Sequence, residues 1–211
     1  MLHLGRSDRA VHFDWVSLMR SYKRFVSSAS TVLEIGASNV KATREFSRYC
    51  GELVGLELLP EKTPADFDNV RYITGDWQKL SRYIEPDTID IAIASHVIEH
   101  IPDDIKAMNE LFTVLKPGGV AILVTGNIKR PTRMIIELFT GEREFPWGEH
   151  VREYTESDLV DLIGASLFQK YAVLPLVFGI HGGPVFFYSE KVPDAFRKYA
   201  HFWEVHIFKE Q

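Results

Sequence analysis

Hydrophobic residues along the chain follow two periodicities. Short apolar or β-branched runs, bounded by Gly, Pro or Asp, predict strands over residues 31–35, 52–58, 70–74, 89–94 and 120–125. Apolar residues at helical spacing predict helices over residues 9–26, 40–49 and 103–115, and Gly75-Asp76 opens a polar helix. Strands that alternate with helices predict βαβ crossovers and therefore a parallel sheet.

The pattern changes after residue 125. A helix is predicted over 131–140, a second one from its cap Thr155 to about Gly164, and two strands over 167–178 and 202–208, with a Gly/Pro-rich insert at His181–Pro184 between them. The expected fold is therefore an α/β, Rossmann-like domain. Its seven-stranded sheet is mostly parallel with an antiparallel last strand, and helices cover both faces.

Composition narrows the classes of protein that fit this pattern. With 211 residues, 45% hydrophobic and 25% charged, the chain suits one globular domain. The net charge of −5 lacks the basic excess of a typical nucleic-acid binder. A single cysteine, Cys50, permits no internal disulfide, and no stretch reaches the roughly 18 apolar residues of a membrane span. We expect a cytoplasmic protein without a membrane span; the sequence predicts no oligomeric state.

Candidate ligand-binding residues follow the predicted strands. In an open parallel sheet, ligands bind at the carboxyl ends of the strands. Gly36 follows the first strand and lets the backbone approach a ligand. Glu57 ends the second, where a carboxylate can accept hydrogen bonds from both hydroxyls of a ribose. Asp76 follows the third strand, and Ser95 and His96 follow the fourth.

These motifs, in this order and together with Lys116-Pro-Gly-Gly119, resemble the class I S-adenosylmethionine-dependent methyltransferases, in particular the type 11 and ubiquinone-type O-methyltransferase-like members. The resemblance spans residues 31–125 and implies S-adenosylmethionine as the cofactor. It also implies cofactor-binding residues in the first loop, beside the ribose, beside the adenine and after the fourth strand: Glu34, Gly36, Ala37 and Ser38; Glu57 and Leu58; Gly75, Asp76 and Trp77; and Ser95. The chain departs from the family at Ser38, where a second glycine is common.

Two other motif assignments fit less well. A dinucleotide-binding loop needs G-x-G-x-x-G, whereas Gly36 is followed by Ala, Ser, Asn, Val and Lys. The segment His96–His100 has the H-x-x-E-H spacing of an inverted zinc-peptidase helix, but it begins where a buried strand ends and Pro102 interrupts it.

Histidines supply the candidate catalytic chemistry. Methyl transfer to a hydroxyl needs a base, and His96 is the first candidate, followed by His150. In two branches of the family the acid and histidine corresponding to Glu99 and His100 help to bind a divalent ion. The resemblance therefore implies a metal site at Glu99, His100 and His150, with His96 as a further ligand. The alternative is that the Glu-His pair only holds loops around the site.

The expected reaction is O-methylation of a small-molecule hydroxyl. We divide the single domain into an N-terminal helical cap (1–30), a cofactor-binding core (31–125) and a substrate-side region (126–211). Acceptor specificity is expected in the cap with Trp15 and Tyr22, in Lys129–Arg152 and in the His181–Pro184 insert. Two alternatives remain: a non-catalytic module with the same fold, motivated by Ser38, and a metal-dependent RNA 2′-O-methyltransferase, motivated by Glu99-His100 and opposed by the net charge.

Overall fold

The computed structural model describes residues 2–5, 11–141, 150–180 and 186–210. Ten strands and five α-helices are found in this part of the chain. The strands are β1 (Leu2–Gly5), β2 (Thr31–Ile35), β3 (Glu52–Glu57), β4 (Val70–Thr74), β5 (Ile89–Ser95), β6 (Leu115–Gly126), β7 (Lys170–Leu176), β8 (Phe178–Ile180), β9 (Phe186–Ser189) and β10 (Phe202–Phe208). The helices are α1 (Val11–Phe25), α2 (Val40–Ser47), α3 (Asp104–Val114), α4 (Pro131–Thr140) and α5 (Glu156–Ala165).

Seven strands form one sheet in the order β4-β3-β2-β5-β6-β10-β7. The strands from β2 to β6 pair in parallel, and β10 runs antiparallel to both β6 and β7. This confirms the predicted fold class, including the antiparallel last strand. The order places β2 and β5 side by side in the middle of the sheet, so the loops that follow them lie next to each other.

Two hydrophobic clusters cover the two faces of the sheet. On one face, Leu18 and Tyr22 of α1 pack with Phe46 of α2, and the rings of Tyr22 and Phe46 meet edge to face at 5.0 Å. On the other face, Leu111 of α3 and Leu159 of α5 lie in the second cluster. The alternation of side chains along the strands produces this division, because successive residues of a strand point to opposite faces.

Three local predictions were wrong. The strand expected over 167–178 breaks at Val177, which has a φ of +57°, so β7 stays in the large sheet and β8 joins a small sheet of order β1-β9-β8. The helix expected after Gly75-Asp76 is 3₁₀ over Trp77–Arg82. The segment Lys116–Gly119 is not a break between the helix predicted over 103–115 and the strand predicted over 120–125. It lies within β6, which already begins at Leu115. The predicted insert His181–Pro184 lies outside the described residues.

Across the described ranges, we find no helix that is both long and apolar enough to span a membrane. The division into cap, core and substrate-side region stays a prediction.

A buried asparagine fixes the chain where it leaves β6. The Asn127 amide donates to the carbonyl oxygens of Lys198 (3.0 Å) and Ala200 (2.7 Å), and its Oδ1 accepts from the Lys129 amide at 3.0 Å. The Asn127 backbone N–H also donates to His201 O. This one side chain therefore joins the end of β6 to the segment that enters β10.

We predict that Asn127→Ala destabilises the protein by about 2–3 kcal/mol, because the buried carbonyl of Ala200 and the carbonyl of Lys198 both lose their donor. Urea unfolding measures the change. The control is Asn39→Ala, which removes an exposed cap with a long 3.4 Å bond and should cost about 1 kcal/mol or less. Equal costs for the two variants would contradict this role of Asn127.

Candidate active site

A cavity of about 350 Å³ lies at the carboxyl ends of β2, β3 and β4. Six of the ten residues predicted to bind the cofactor line it: Gly36, Glu57, Leu58, Gly75, Asp76 and Trp77. Seven further described residues line it that were not among the predicted cofactor residues: Ile35, Leu56, Gln78, Val97, His100, Ile101 and Pro102. The rule that ligands bind at the carboxyl ends of parallel strands could have identified the lining residues next to those ends. The lining residues between Val97 and Pro102 reach the cavity only because the turn after β5 folds over it.

Gly36 allows the backbone to turn sharply at the edge of this cavity. Its φ is +80°, and a Cβ built on it would lie 2.6 Å from Cγ2 of Val97. The N–H groups of Gly36 and Ala37 both donate to Leu56 O, at 2.8 and 3.1 Å, which fixes the turn against β3. A side chain at position 36 is therefore opposed both by the backbone conformation and by Val97.

The serine that replaces a common family glycine introduces no backbone strain. Ser38 is exposed, and it is not among the described residues with positive φ. Asn39, the next residue, caps α2 by accepting from the Ala42 amide. The loop of this chain therefore accommodates Ser38 in an ordinary conformation. Neither Ser38 nor Ala37 lines the cavity itself.

Glu57, at the end of β3, is placed to accept hydrogen bonds from the hydroxyl groups of a ligand. Glu57 is buried, and its Oε1 accepts from the amides of Leu58 (3.0 Å) and Leu59 (3.4 Å). Among the described residues, none donates to Oε2. Leu58, beside it, is 60% exposed although apolar. A carboxylate that is held in place next to an exposed apolar side chain suits a ribose attached to a flat ring.

Asp76 and Trp77 close the far end of the cavity. Asp76 Oδ1 accepts from the amide and side chain of Gln78, at 2.9 and 3.2 Å, and Oδ2 pairs with Lys79 at 3.2 Å. Burial raises the pKa of Asp76, but these bonds outweigh it and lower the pKa overall. Trp77 is buried, and its Nε1 has no partner among the described residues.

Besides Ala37 and Ser38, two further predicted cofactor residues lie away from the cavity wall. Glu34 is buried, and its Oε2 has no hydrogen-bond partner in the described part of the chain. Burial raises its pKa to about 8, and a bond with Thr43 opposes this only in part. Ser95 is half-buried and pairs with Val124 in the sheet. The roles of both residues in cofactor binding stay predictions.

A second cavity of about 370 Å³ lies beside the first. Its described lining comes from α1, the turn after β5, the end of β6 and the segments that follow it: Asp14, His96, Glu99, Gly126, Arg130, Thr132, His150, Glu153, His201 and Phe202. Only His96, Glu99 and His150 of this set were predicted as site residues. One sequence signal could have indicated Asp14 as a site residue: it is an acid on the buried side of the first helix, beside Leu18.

The turn Ser95–His100 forms the wall between the two cavities. His96 and Glu99 line the second cavity, whereas Val97 and His100 line the first. His96 makes this arrangement possible by adopting a left-handed backbone with a φ of +55°, which is uncommon outside glycine. Its N–H donates to Val124 O at 2.8 Å and holds the turn to β6.

The His96 ring lies between two carboxylates. Its Nε2 is 2.8 Å from Asp14 Oδ2, and its Nδ1 is 3.2 Å from Glu99 Oε1. Burial alone would lower the pKa of His96, but the bonds to Asp14 and Glu99 raise it to about 10. The ring is therefore an imidazolium at neutral pH, with both N–H groups donated to carboxylates, and it has no lone pair with which to act as a base.

Glu99 is fully buried and both of its oxygens are bonded. Oε1 contacts His96, and Oε2 accepts from Thr125 Oγ1 at 2.9 Å. Burial raises its pKa, but the bond and charge of His96 and the bond from Thr125 lower it overall. The Glu99 carbonyl oxygen also accepts from the amides of Val151 and Arg152.

The metal ligands expected at Glu99, His100 and His150 do not form a metal-binding cluster. No group of three His, Cys, Asp or Glu side chains suited to a metal is present among the residues that the structure describes. The reason is that the bonds of Glu99 turn its carboxylate toward His96 and Thr125. The peptidase-like motif also lacks its helix, since Ile98–His100 is a single 3₁₀ turn.

His150 lies where the two cavities meet. Its ring contacts His100 edge to face, with centroids 4.7 Å apart, and its Nδ1 is 3.3 Å from Glu153 Oε1. Burial lowers the pKa of His150; the charges of Glu99 and Glu153 oppose this without overcoming it, and His100 adds to it. His150 is therefore neutral at neutral pH. Because an ionised carboxylate only accepts, Nδ1 carries the hydrogen in the contact with Glu153.

Arginines in the substrate-side region are paired within the protein. Arg130 makes two bonds to Glu153 (2.7 and 2.9 Å), and Arg133 bonds Glu153 at 2.8 Å and Glu137 at 2.6 Å. Burial raises the pKa of Glu153, but Arg130 and Arg133 lower it overall. Arg152 pairs with Asp104. All three arginines belong to the segment Lys129–Arg152, where acceptor specificity was expected, and each pairs with a carboxylate of the protein.

Known proteins with a similar sequence or structure agree with this description. Residues 33–123 match the family model described as a methyltransferase domain. An uncharacterized methyltransferase of Mycobacterium sp. (strain KMS) is 32% identical over 96 residues, which is 44% of this chain and 37% of that protein. A probable S-adenosylmethionine-dependent methyltransferase of Mycolicibacterium smegmatis is 30% identical over 159 residues, which is 64% of this chain and 59% of that protein. The chain thus spans less than two thirds of the length of these relatives.

The YcgJ protein from Bacillus subtilis superimposes with a TM-score of 0.69 at 18% identity, over 93% of this chain and 99% of that one. The chain therefore has the Rossmann-like fold of its methyltransferase neighbours. The match to the methyltransferase-domain family model covers residues 33–123.

We predict that Glu57→Ala weakens binding of S-adenosylmethionine by about 1–3 kcal/mol, the usual value for charge-assisted hydrogen bonds. Isothermal titration measures the affinity. The matched control is Glu61→Ala, which removes an exposed acid of the next turn and should leave affinity unchanged. Equal affinity of the Glu57 variant and wild type would remove Glu57 from the ribose role.

The His96 ion pairs predict a pH-dependent stability. Because the folded pKa lies above that of an unfolded histidine, the stabilisation is fully present below about pH 6.5 and is lost as the pH rises toward 10. Thermal melts of wild type and His96→Gln should therefore differ most at pH 6, by about 2–4 °C for each kcal/mol lost. The difference should shrink by pH 9.5. A difference that stays constant with pH would show that His96 is not held as an imidazolium.

Proposed function

We propose that this protein is an S-adenosylmethionine-dependent methyltransferase that methylates a hydroxyl group of a small molecule. The proposal rests chiefly on one observation: a neutral histidine, His150, stands at the junction of a cavity suited to the cofactor and a second cavity of similar volume. Neutral imidazole at that junction is a suitable base for a hydroxyl proton.

Residues of the first cavity fit the cofactor. Gly36 keeps the loop open to the ligand, Glu57 offers Oε2 to the ribose, and the apolar side chain of Leu58 and the ring of Trp77 border the space for adenine. S-adenosylmethionine, when bound, supplies an electrophilic methyl group on a sulfonium. The ordinary backbone of Ser38 supports cofactor binding over the alternative of a non-catalytic module.

His150, rather than His96, is the residue that we assign as the base. Its Nδ1–H donates to Glu153, which orients the neutral ring, and we assign this ring as the group that takes the proton of the acceptor hydroxyl. His96 has both nitrogens committed to Asp14 and Glu99, and it acts as a positioning residue that shapes the wall between the cavities.

The alternative of an RNA 2′-O-methyltransferase has less support. Among the described residues of the second cavity, Arg130 is paired with Glu153 instead of being available to phosphates, and the net charge of the chain is −5. The second cavity, at about 370 Å³, has the volume of a pocket for a small molecule.

We predict that His150→Gln lowers kcat by about 10²–10⁴-fold while cofactor affinity changes little, because the hydroxyl loses its base. The assay measures release of S-adenosylhomocysteine with a panel of single-ring phenols and alcohols. Wild type should show an acidic limb in kcat/KM with a pKa below 6.5, set by burial and by Glu99, His100 and Glu153 around the ring. That limb should be absent from the variant. A variant with wild-type kcat would contradict the assignment, and absence of cofactor binding by folded wild type would contradict the function.

A further inference from the structure

Residues 150–154, which we call the strap, lie against the turn that separates the two cavities. The backbone N–H groups of Val151 and Arg152 both donate to Glu99 O, at 2.9 and 3.2 Å. Because both bonds end on the same oxygen atom, they hold this part of the strap at a single point, about which it can pivot. A second point of attachment is needed to fix its direction.

The far end of the strap is anchored independently. Tyr154 O accepts from the Ile128 amide and from Nε1 of Trp203, both at 3.2 Å. These contacts attach the strap to the chain after β6 and to β10. They do not involve the side chain of Arg152, so they remain when that side chain is removed.

The side chain of Arg152 supplies the second point of attachment near His150. Its guanidinium pairs with Asp104, the first residue of α3, and donates to Pro102 O at 2.6 Å. Asp104 is buried and also accepts from Tyr154 Oη at 2.9 Å. The planar guanidinium presents several donors in a fixed fork and therefore bonds both acceptors at once, whereas a lysine ammonium is a single point charge.

His150 lies two residues before Arg152. Its ring meets the ring of His100 edge to face, with centroids 4.7 Å apart, and His100 belongs to the same turn as Glu99. A catalytic group has to be held within about 0.5 Å of its productive position, and a displacement of about 1 Å costs roughly 10²-fold in rate. The direction of the strap therefore affects how well His150 can act as a base.

We propose that Arg152 is a positioning residue for methyl transfer, which keeps the His150 ring against His100 by fastening the strap to Asp104 and Pro102. This role rests on the proposed function and adds to it a residue that is not among the described lining residues of either cavity. Arg152 contributes to the placement of the base and touches no reacting atom.

Arg197 provides a matched control for the loss of an arginine. Like Arg152, it pairs with a carboxylate, that of Glu156, and donates to a backbone carbonyl, that of Val173. The two side chains are also similarly exposed, at 34% for Arg152 and 36% for Arg197. Because the contacts of Arg197 lie beyond the anchor at Tyr154, its loss leaves the His150 end of the strap in place.

The first test measures the contact between the two rings in the ligand-free full chain. The ring protons of His100 and His150, assigned with His100→Gln and His150→Gln, should show a nuclear Overhauser effect in wild type. We expect this effect to be lost in Arg152→Ala and retained in Arg197→Ala. If Arg152→Ala does not fold, Arg152→Lys takes its place; it keeps a positive charge without the planar fork and should weaken the same effect.

The second test measures kinetics with an acceptor that wild type methylates. Arg152→Ala should lower kcat by about 10–10²-fold because the base is displaced, while KM for the acceptor and the affinity for S-adenosylmethionine change by less than about threefold. Arg197→Ala should leave kcat within about twofold of wild type. Melting temperatures of both variants, measured in parallel, control for a general loss of stability.

A ring contact that is absent from wild type, or that persists in the Arg152 variant, would overturn this role of Arg152 whatever the activity. So would an equal loss of kcat in the two arginine variants, or a change confined to KM. Failure of folded wild type to bind S-adenosylmethionine would instead overturn the proposed function, and the ring contact, which needs no ligand, would still test how Arg152 holds the strap.

Discussion

The arrangement of the site depends on the imidazolium of His96 between two buried carboxylates. This contact joins α1, through Asp14, to the turn after β5, through Glu99. It also stabilises a left-handed backbone at His96, which an isolated chain would rarely adopt. Because that turn separates the two cavities, the ion pairs determine which side chains face the cofactor and which face the acceptor.

The N-terminal helix is held at two places along its length. Asp14 bonds His96 near the start of the helix, and further along Ser21 donates to Glu204 of β10, which also contacts His206 at 2.6 Å. Burial raises the pKa of Glu204, but the bonds from His206 and Ser21 lower it overall. The helix thus covers the site through polar contacts to the turn and to the antiparallel strand, in addition to its packing on α2.

Much of the cofactor side could be predicted from the sequence, because parallel strands bring their carboxyl ends to one edge and thereby place Gly36, Glu57 and Asp76 together. The acceptor side could not. Asp14 and His96 are 82 residues apart, and their contact depends on how α1 packs, which periodicity does not specify. Val177 is a β-branched residue with positive φ, against its local preference, so the sequence indicated a continuous strand there. The pairing of charges could not be predicted either, because the sequence does not show that Arg130 and Arg133 both lie against Glu153.

The central claim is that His96 is charged and His150 is neutral, so that of these two rings His150 is the one that can accept a proton. The most direct measurement is ¹⁵N NMR of the histidine rings of the full chain at pH 7.5, with assignment by His96→Gln and His150→Gln. The account predicts an imidazolium signature, with two protonated nitrogens, for His96, and a neutral ring protonated at Nδ1 for His150. A neutral His96 or a doubly protonated His150 would contradict it.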